Sequence, residues 1–223
     1  MERIFCSSRD AQSGLILLMP RCEKAVQDEN KDREVLFAEG FRRMGWPDYD
    51  ASMIRRTEYG KPVYTGKDPY YFNYSDTRGW CGAVFAPLPC GIDLEGPRRR
   101  SGALLKILPE AERICLFDAA DEAQREQRFA RMWTAKEAFC KMTGRGITKE
   151  ILETSFAECI AQIDPLSFAP GEEAVRMPPE AALSVCACGT DAKLLQLYAG
   201  CIAVSVCTER ECAFEIAFSD CVR

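Results

Sequence analysis

Near its middle the chain reads Cys90-Gly91-Ile92-Asp93-Leu94-Glu95, a short apolar run that stops at Gly96-Pro97. This composition predicts a strand, and because side chains alternate across a strand, Asp93 and Glu95 lie on the same face. Two neighbouring carboxylates repel each other unless a cation or hydrogen-bond donors lie between them, and such oxygen ligands suit Mg²⁺. A solvated Asp-x-Glu at a strand end is also common, so the pair alone leaves a purely structural role open.

A second motif, Trp133-Thr134-Ala135-Lys136-Glu137-Ala138-Phe139-Cys140-Lys141, has a helical pattern of apolar residues. Glu137 and Lys141 are four residues apart and project from one helix face. A helix-stabilising salt bridge would account for this spacing without any further function. The motif is followed by Gly144-Arg145-Gly146, a flexible and basic turn that a phosphate can approach.

The two motifs lie about forty residues apart and together resemble the signature motifs of the 4'-phosphopantetheinyl transferase superfamily. Glu58-Tyr59-Gly60-Lys61-Pro62, and then Phe72-Asn73-Tyr74-Ser75 up to Trp80, resemble further blocks of that family in the same order. The resemblance covers residues 58 to 147. The chain length is similar to that of the two-lobed, monomeric Sfp-type branch of the family.

The resemblance implies an activity and a set of catalytic residues. The phosphopantetheine arm of coenzyme A would be transferred to a serine of an acyl or peptidyl carrier protein, giving the holo-carrier and adenosine 3',5'-bisphosphate. Such carriers serve fatty-acid, polyketide and nonribosomal peptide biosynthesis. Asp93, Glu95 and Glu137 would hold Mg²⁺ with the pyrophosphate. Glu137 would also be the general base, and Lys141 would neutralise phosphate charge, so Glu137, Lys141 and Asp93 are the predicted catalytic residues.

The same resemblance places the donor, coenzyme A. Lys61 and Pro62 would line the nucleotide site, and Ser75, Asp76 and Lys141 would contact the phosphates. Arg33, in the predicted N-terminal helix, would contribute, although an exposed surface arginine is the ordinary alternative.

One residue departs from the family pattern. The family usually has a histidine after the serine, and that histidine is expected to contact the 3'-phosphate, whereas this sequence has Asp76. An aspartate would repel the phosphate unless Arg78 or another cation intervened. The protein would bind the 3'-phosphate through other basic residues, discriminate poorly against dephospho-coenzyme A, or have lost activity.

The resemblance implies an α+β fold, with two similar lobes related by pseudo-twofold symmetry and the active site between them. Residues 1–88 would form the N-terminal lobe with the nucleotide contacts. Residues 89–223 would form the C-terminal lobe with the metal-binding and catalytic motifs. The residue patterns predict a helix over 23–44, strands over 70–74 and 80–85 around a polar turn at 75–79, and strands from 181 onward.

Composition excludes several functions. The 223-residue chain has no histidine, so Ser-His-Asp chemistry and mixed Cys/His zinc sites are excluded. A net charge of -5 argues against broad nucleic-acid binding, and no apolar run reaches the ~20 residues of a membrane span. We expect a monomeric, cytoplasmic protein.

The sequence leaves open the role of one basic run and the reaction itself. Arg98-Arg99-Arg100 could rim a docking surface for an acidic carrier protein, or be an ordinary solvated loop. The same three carboxylates would also serve a different Mg²⁺-dependent phosphotransferase. A homologue that binds coenzyme A or a carrier without turnover is the non-enzymatic alternative.

Overall fold

The computed structural model describes residues 13–21, 29–97, 102–162 and 165–219. Within these ranges the helices are α1 (Glu29–Met44), α2 (Gly102–Ile107), α3 (Glu110–Phe117), α4 (Glu122–Thr143), α5 (Lys149–Glu153) and α6 (Ala157–Gln162). The strands are β1 (Ser13–Pro20), β2 (Ile54–Arg56), β3 (Pro62–Tyr64), β4 (Tyr71–Thr77), β5 (Trp80–Ala86), β6 (Cys90–Glu95), β7 (Leu166–Phe168), β8 (Val175–Met177), β9 (Leu183–Ala187), β10 (Thr190–Ala199), β11 (Ile202–Thr208) and β12 (Ala213–Phe218). The predicted α+β class is confirmed.

A first sheet has the strand order β4-β5-β1-β12-β8. Its central pair, β1 and β12, is parallel and joins the two ends of the described chain, with Ile16 opposite Ile216. Strands β8 and β12 come from the segment that the sequence assigned to the C-terminal lobe. The strand pairing therefore crosses the predicted boundary between residues 88 and 89, and a division there does not separate the two sheets.

A second sheet has the order β6-β11-β10-β7. Strand β7 pairs with the C-terminal end of β10, and β9 pairs with its N-terminal half. This sheet packs against the first sheet around one apolar core, in which Ile16 and Val84 from the first sheet meet Ile92, Leu197 and Val204 from the second. All five side chains are buried. Their shared core holds β6 against the first sheet, which positions Asp93 and Glu95 beside residues from the N-terminal half.

Helix α1 covers the other face of the first sheet. Phe37 and Phe41 pack edge-on against Phe72, with ring centroids 4.9 Å and 5.2 Å apart. Such edge-to-face pairs add to the free energy gained from burial. The predicted helix over 23–44 is confirmed for the part that begins at Glu29, and residues 22–28 lie outside the described ranges.

Helix α4 carries the second motif and has a defined beginning and end. The Asp121 side chain caps its first turn by accepting a hydrogen bond of 2.7 Å from the backbone N–H of Gln124. Gly144 ends it in a left-handed conformation, with φ of 72°. Of the two glycines that follow the second motif, Gly144 ends the helix. No helix in the described part of the chain is long and apolar enough to cross a membrane.

The polar turn predicted at residues 75–79 is wrong in its bounds. Ser75 and Asp76 belong to β4 and pair with Gly82 and Cys81 of β5. The reversal needs only Arg78 and Gly79, because glycine adopts the positive φ of 79° that a two-residue hairpin turn demands. This longer strand holds Ser75 and Asp76 on a fixed backbone at the edge of the candidate site.

Candidate active site

The site forms where α4 packs directly on β6. Gly91 allows this close approach, because a Cβ atom at that position would collide with the backbone of Ala138 and Met142. Because glycine has no side chain, the helix can lie directly against the strand. As a result Asp93 and Glu95 of β6 line one cavity with Glu137 and Lys141 of α4.

This first cavity has a volume of about 570 Å³ and an acidic floor. Lys141 Nζ lies 2.8 Å from Asp93 Oδ1 and donates to Ser75 Oγ at 2.9 Å. The Ser75 hydroxyl in turn donates to Asp93 Oδ1 at 2.8 Å. Lys141 therefore connects α4 to β6 and β4. Its ammonium makes contacts between elements of the fold, beyond any salt bridge along the helix.

Two carboxylates of the first cavity, Asp93 and Glu137, are held in an environment that disfavours their charge. Burial raises the pKa of Asp93, although Lys141 and Ser75 act in the opposite direction. Burial also raises the pKa of Glu137, and the nearby charge of Asp93 adds to the rise. Burial is the larger cause of both shifts, because it disfavours the charged form of a carboxyl group.

The donor set fits Mg²⁺, because three carboxylates face one cavity and a hard cation among them would relieve their repulsion. Asp93, Glu95 and Glu137 are the residues that could hold it. In the described part of the chain, no group of three acidic or cysteine side chains is already arranged around a metal position. The ammonium of Lys141 supplies the positive charge beside Asp93 instead.

A second cavity of about 340 Å³ adjoins the first and is basic. The two share Tyr74, Asp76, Glu137 and Lys141 in their linings. The cationic residues of the second cavity are Arg33, Arg56, Lys61, Lys141 and Arg145, against the two carboxylates Asp76 and Glu137. An acidic cavity beside a basic one is an arrangement that can hold a divalent cation and a phosphorylated ligand together.

Lys61 and Pro62, which the resemblance assigns to the nucleotide site, both line the second cavity, and the ammonium of Lys61 contacts backbone oxygens. Its Nζ donates to the backbone oxygen of Met142 at 2.5 Å and to that of Cys90 at 3.4 Å. Met142 lies in the last turn of α4, where a cation compensates the negative end of the helix dipole. Lys61 thus ties the end of α4 to the start of β6, and burial lowers its pKa.

Asp76 has a cationic partner that sequence reasoning missed. Arg21 Nη1 lies 3.0 Å from Asp76 Oδ2, and Arg21 Nε lies 2.8 Å from Asp32 Oδ2. Arg21 Nη2 also donates to the Tyr74 hydroxyl at 2.9 Å. Arg78, the partner suggested from the sequence, lines the same cavity. No local pattern marks Arg21, because Asp76 is 55 positions away along the chain.

Three further basic features of the sequence remain to be placed: Arg33, Arg145 and the run Arg98 to Arg100. Arg33 lines the second cavity and donates to Asn30 Oδ1 at 2.8 Å. Arg145, noted in the sequence only as part of a basic turn, lines the same cavity. The run Arg98 to Arg100 lies outside the described residues.

An acidic cavity beside a basic one has a lining that suits a metal ion and a phosphorylated ligand. Comparison with known proteins is consistent with such a site, since residues 89–173 match the model of the 4'-phosphopantetheinyl transferase superfamily. The resemblance seen in the sequence motifs is confirmed over this segment.

Individual relatives agree with the family match. The chain is 31% identical over 101 residues to the 4'-phosphopantetheinyl transferase Sfp of Bacillus subtilis (strain 168), covering 44% of this chain and 45% of the relative. It is 34% identical over 99 residues to the 4'-phosphopantetheinyl transferase gsp of Aneurinibacillus migulanus, covering 43% and 39%. It is 30% identical over 89 residues to the 4'-phosphopantetheinyl transferase psf-1 of Bacillus pumilus, covering 40% and 38%. The matched regions span less than half the length of each relative.

Proposed function

We propose that this protein transfers 4'-phosphopantetheine from coenzyme A to a serine of an acyl or peptidyl carrier protein. The observation that carries the proposal is the meeting of Asp93, Glu95 and Glu137 in an acidic cavity that opens onto a basic one. Coenzyme A carries a pyrophosphate, which suits a metal ion held in the acidic cavity. It also carries a phosphorylated nucleotide, which suits the basic cavity. The family of the segment 89–173 supports the same reaction.

Each residue of the first cavity has a role in the proposed reaction. Asp93, Glu95 and Glu137 would hold Mg²⁺, which when bound neutralises pyrophosphate charge. Glu137 would also accept the proton of the carrier serine, a task that a carboxylate positioned beside the nucleophile can perform. Lys141 lies where it can neutralise phosphate oxygens, and Ser75 orients its ammonium.

The bonds formed and broken balance without a further reactant. The serine oxygen attacks the β-phosphorus, the phosphorus that bears the pantetheine arm, and a new phosphodiester bond forms. The bond from this phosphorus to the bridging oxygen of the pyrophosphate breaks, and adenosine 3',5'-bisphosphate leaves. Positioning and charge neutralisation supply most of the catalysis in such transfers, which fits a site made of carboxylates and lysine.

A carrier protein needs a surface on which to dock, and α2 and α3 offer an apolar one. Ile107, Ile114 and Phe117 are 49%, 61% and 63% exposed. Arg125 lies over the Phe117 ring, 5.6 Å from its centroid, and adds positive charge at the edge. An apolar patch with a basic edge suits an acidic carrier helix.

The proposal is tested by the intact mass of an apo carrier protein after incubation with this protein, coenzyme A and Mg²⁺. We expect a gain equal to one phosphopantetheine group on the carrier, and no gain when a chelator removes the metal. Saturable binding of coenzyme A without any gain, across several carriers, would favour a non-catalytic binding protein. Turnover of plain nucleotides without a carrier would favour a different phosphotransferase.

A further inference from the structure

The contact between α4 and the second sheet contains a buried polar cluster that the proposed chemistry does not use. The Thr134 hydroxyl of α4 lies 2.7 Å from the Ser205 hydroxyl of β11. The side-chain amide of Gln196, from β10, donates to Ser205 Oγ at 2.9 Å and to the backbone oxygen of Arg131 at 2.9 Å. The side chains of Thr134, Ser205 and Gln196 belong to residues that are at most 3% exposed. These polar groups therefore bond to one another instead of to bulk water.

The hydrogen bonds of this cluster have a defined direction. The Thr134 hydroxyl donates to the Arg131 backbone oxygen at 3.0 Å, so the bond between Thr134 and Ser205 takes its proton from Ser205. The Gln196 side-chain oxygen accepts from the Arg131 guanidinium at 3.2 Å. The bonds thus close a polar ring made of Arg131, Thr134, Ser205 and Gln196. A ring of directional bonds specifies one arrangement of its members, which apolar contacts do not.

The register of β6 and β11 connects this polar ring to the metal-binding carboxylates. Ser205 is the cross-strand partner of Asp93, and directly opposed residues of an antiparallel pair have their side chains on the same face. On that face Lys141 of α4 contacts Asp93, and Thr134 of the same helix contacts the neighbouring strand. Thr134 precedes Glu137 by three residues, so the two are neighbours on the helix surface. A rotation of α4 about its axis would break the bond to Ser205 and carry Glu137 away from Asp93.

We propose that the hydroxyl groups of Thr134 and Ser205, held by Gln196, are a positioning device that fixes the rotation of α4 on the second sheet. They act through Glu137, which α4 carries into the acidic cavity. This inference rests on the proposed function, because it takes Glu137 to hold the metal ion and to accept the proton of the carrier serine. Burying polar groups costs free energy, and a fully bonded polar network returns a unique arrangement of the elements that it joins.

The proposal is tested with Thr134→Val, which replaces the hydroxyl by a methyl group of similar size. We expect kcat for transfer to fall by about ten- to a hundredfold, since small displacements of a reacting group reduce rates strongly. KM for coenzyme A should stay within about twofold, because the loss concerns the reacting geometry and not the binding of the donor. Ser205→Ala removes the same bond from the sheet side and should give the same kinetic result. Thr134→Ser keeps the hydroxyl and should restore most of the wild-type kcat.

Binding of Mn²⁺ in the presence of coenzyme A, followed by electron paramagnetic resonance, provides a measurement that does not depend on transfer. Displaced carboxylates hold a metal ion less well, so Thr134→Val and Ser205→Ala should each weaken Mn²⁺ binding about tenfold. Thr143→Val is the matched control, because the Thr143 hydroxyl donates to the backbone oxygens of Phe139, at 3.2 Å, and Cys140, at 3.1 Å, within α4 itself. We expect wild-type kcat and Mn²⁺ affinity for this control.

The kinetic and metal-binding results separate positioning from a contact that serves stability alone. Thr134→Val and Ser205→Ala proteins that melt at lower temperature but keep wild-type kcat and Mn²⁺ affinity would overturn the proposal. A Thr134→Ser protein as impaired as Thr134→Val would also contradict it, because the hydroxyl would then not be the group that matters. Weakened Mn²⁺ binding in both variants, with no transfer by the wild-type protein to any carrier, would instead support the positioning role and contradict the proposed reaction.

Discussion

At the scale of single residues, the most informative side chain is Lys61, because its sequence motif and its contacts suggest different tasks. The motif places it against the nucleotide, and it does line the basic cavity. Its ammonium, however, donates to two backbone oxygens, those of Met142 and Cys90. A lysine that binds protein carbonyls positions the site, whereas a lysine that binds phosphate holds the donor.

We predict that Lys61→Met lowers kcat for transfer while leaving KM for coenzyme A within about twofold. The two carbonyls lose their donor, which costs ~1–3 kcal/mol of unfolding free energy when such groups stay buried. Steady-state kinetics and urea unfolding of the same preparation measure both effects. A large rise in KM with unchanged stability would show that Lys61 contacts the donor directly.

At the scale of secondary structure elements, the contact between β6 and α4 creates the site. It depends on Gly91, since any side chain there would meet the helix backbone at Ala138 and Met142. Backbone atoms cannot rotate away as a flexible side chain can. The helix would have to move as a unit, and Glu137 and Lys141 would move with it.

We predict that Gly91→Ala strongly reduces both thermal stability and transfer, because α4 is displaced from β6. Gly96→Ala is the matched control, since a Cβ at Gly96 would be 3.4 Å from the Ile202 side chain, an ordinary contact. Differential scanning calorimetry and the carrier mass assay measure the two outcomes. A Gly91→Ala protein as stable and active as the Gly96→Ala protein would show that the close contact between β6 and α4 at Gly91 is not required.

A buried ion pair fixes the other side of α4. Lys136 Nζ lies 2.9 Å from Glu112 Oε1 of α3, and neither side chain is more than 1% exposed. Lys136 also donates to the backbone oxygens of Ile151, at 3.1 Å, and Thr154. Glu112 accepts from the Phe156 backbone N–H at 2.8 Å. The pair therefore joins α3, α4 and the segment around α5.

We predict that Lys136→Met destabilises the protein by ~3–5 kcal/mol, because it leaves the Glu112 charge buried without a cation. Adding Glu112→Gln should recover part of the loss, since the amide oxygen still accepts from Phe156. Lys149→Met is the control, because Lys149 is 87% exposed and its pair with Glu153 should be worth less than ~1 kcal/mol. Chemical denaturation measures all three, and equal effects at Lys136 and Lys149 would contradict the prediction.

The elements that carry the carboxylates could be predicted because their signals are local. Strand β6 and helix α4 follow from residue alternation, apolar spacing and the glycines that end them. The partners of Arg21 and Lys61 could not be predicted in this way. Arg21 meets Asp76 across 55 positions, and Lys61 meets Met142 across 81, so only the folded chain brings these groups together.

At the scale of the whole molecule, the parallel pairing of β1 with β12 is the feature that sequence patterns missed. The residue pattern predicts a strand at Ala213 to Phe218, but it does not identify Ser13 to Pro20 as its partner. The pairing places β12 between β1 and β8 within the first sheet. The N-terminal strands therefore depend on the C-terminal end of the described chain.

We predict that residues 1–88, produced as a separate fragment, do not fold cooperatively. Strand β1 would lose β12 and expose Ile16 and Leu18 to water, and the fragment would also lose β8. Circular dichroism during heating measures cooperativity, with the full chain as control. A fragment with a sharp melting transition would support a lobe boundary at residue 88 instead.

Glu137 is the residue on which the proposed transfer to a carrier serine most depends. The measurement is the rate of phosphopantetheine gain on one apo carrier, followed by intact mass, with wild type, Glu137→Gln and the exposed control Glu158→Gln. We predict a loss of about 10²–10⁴-fold for Glu137→Gln, with coenzyme A binding retained, and a wild-type rate for Glu158→Gln. A Glu137→Gln protein that modifies the carrier at the wild-type rate would contradict the account.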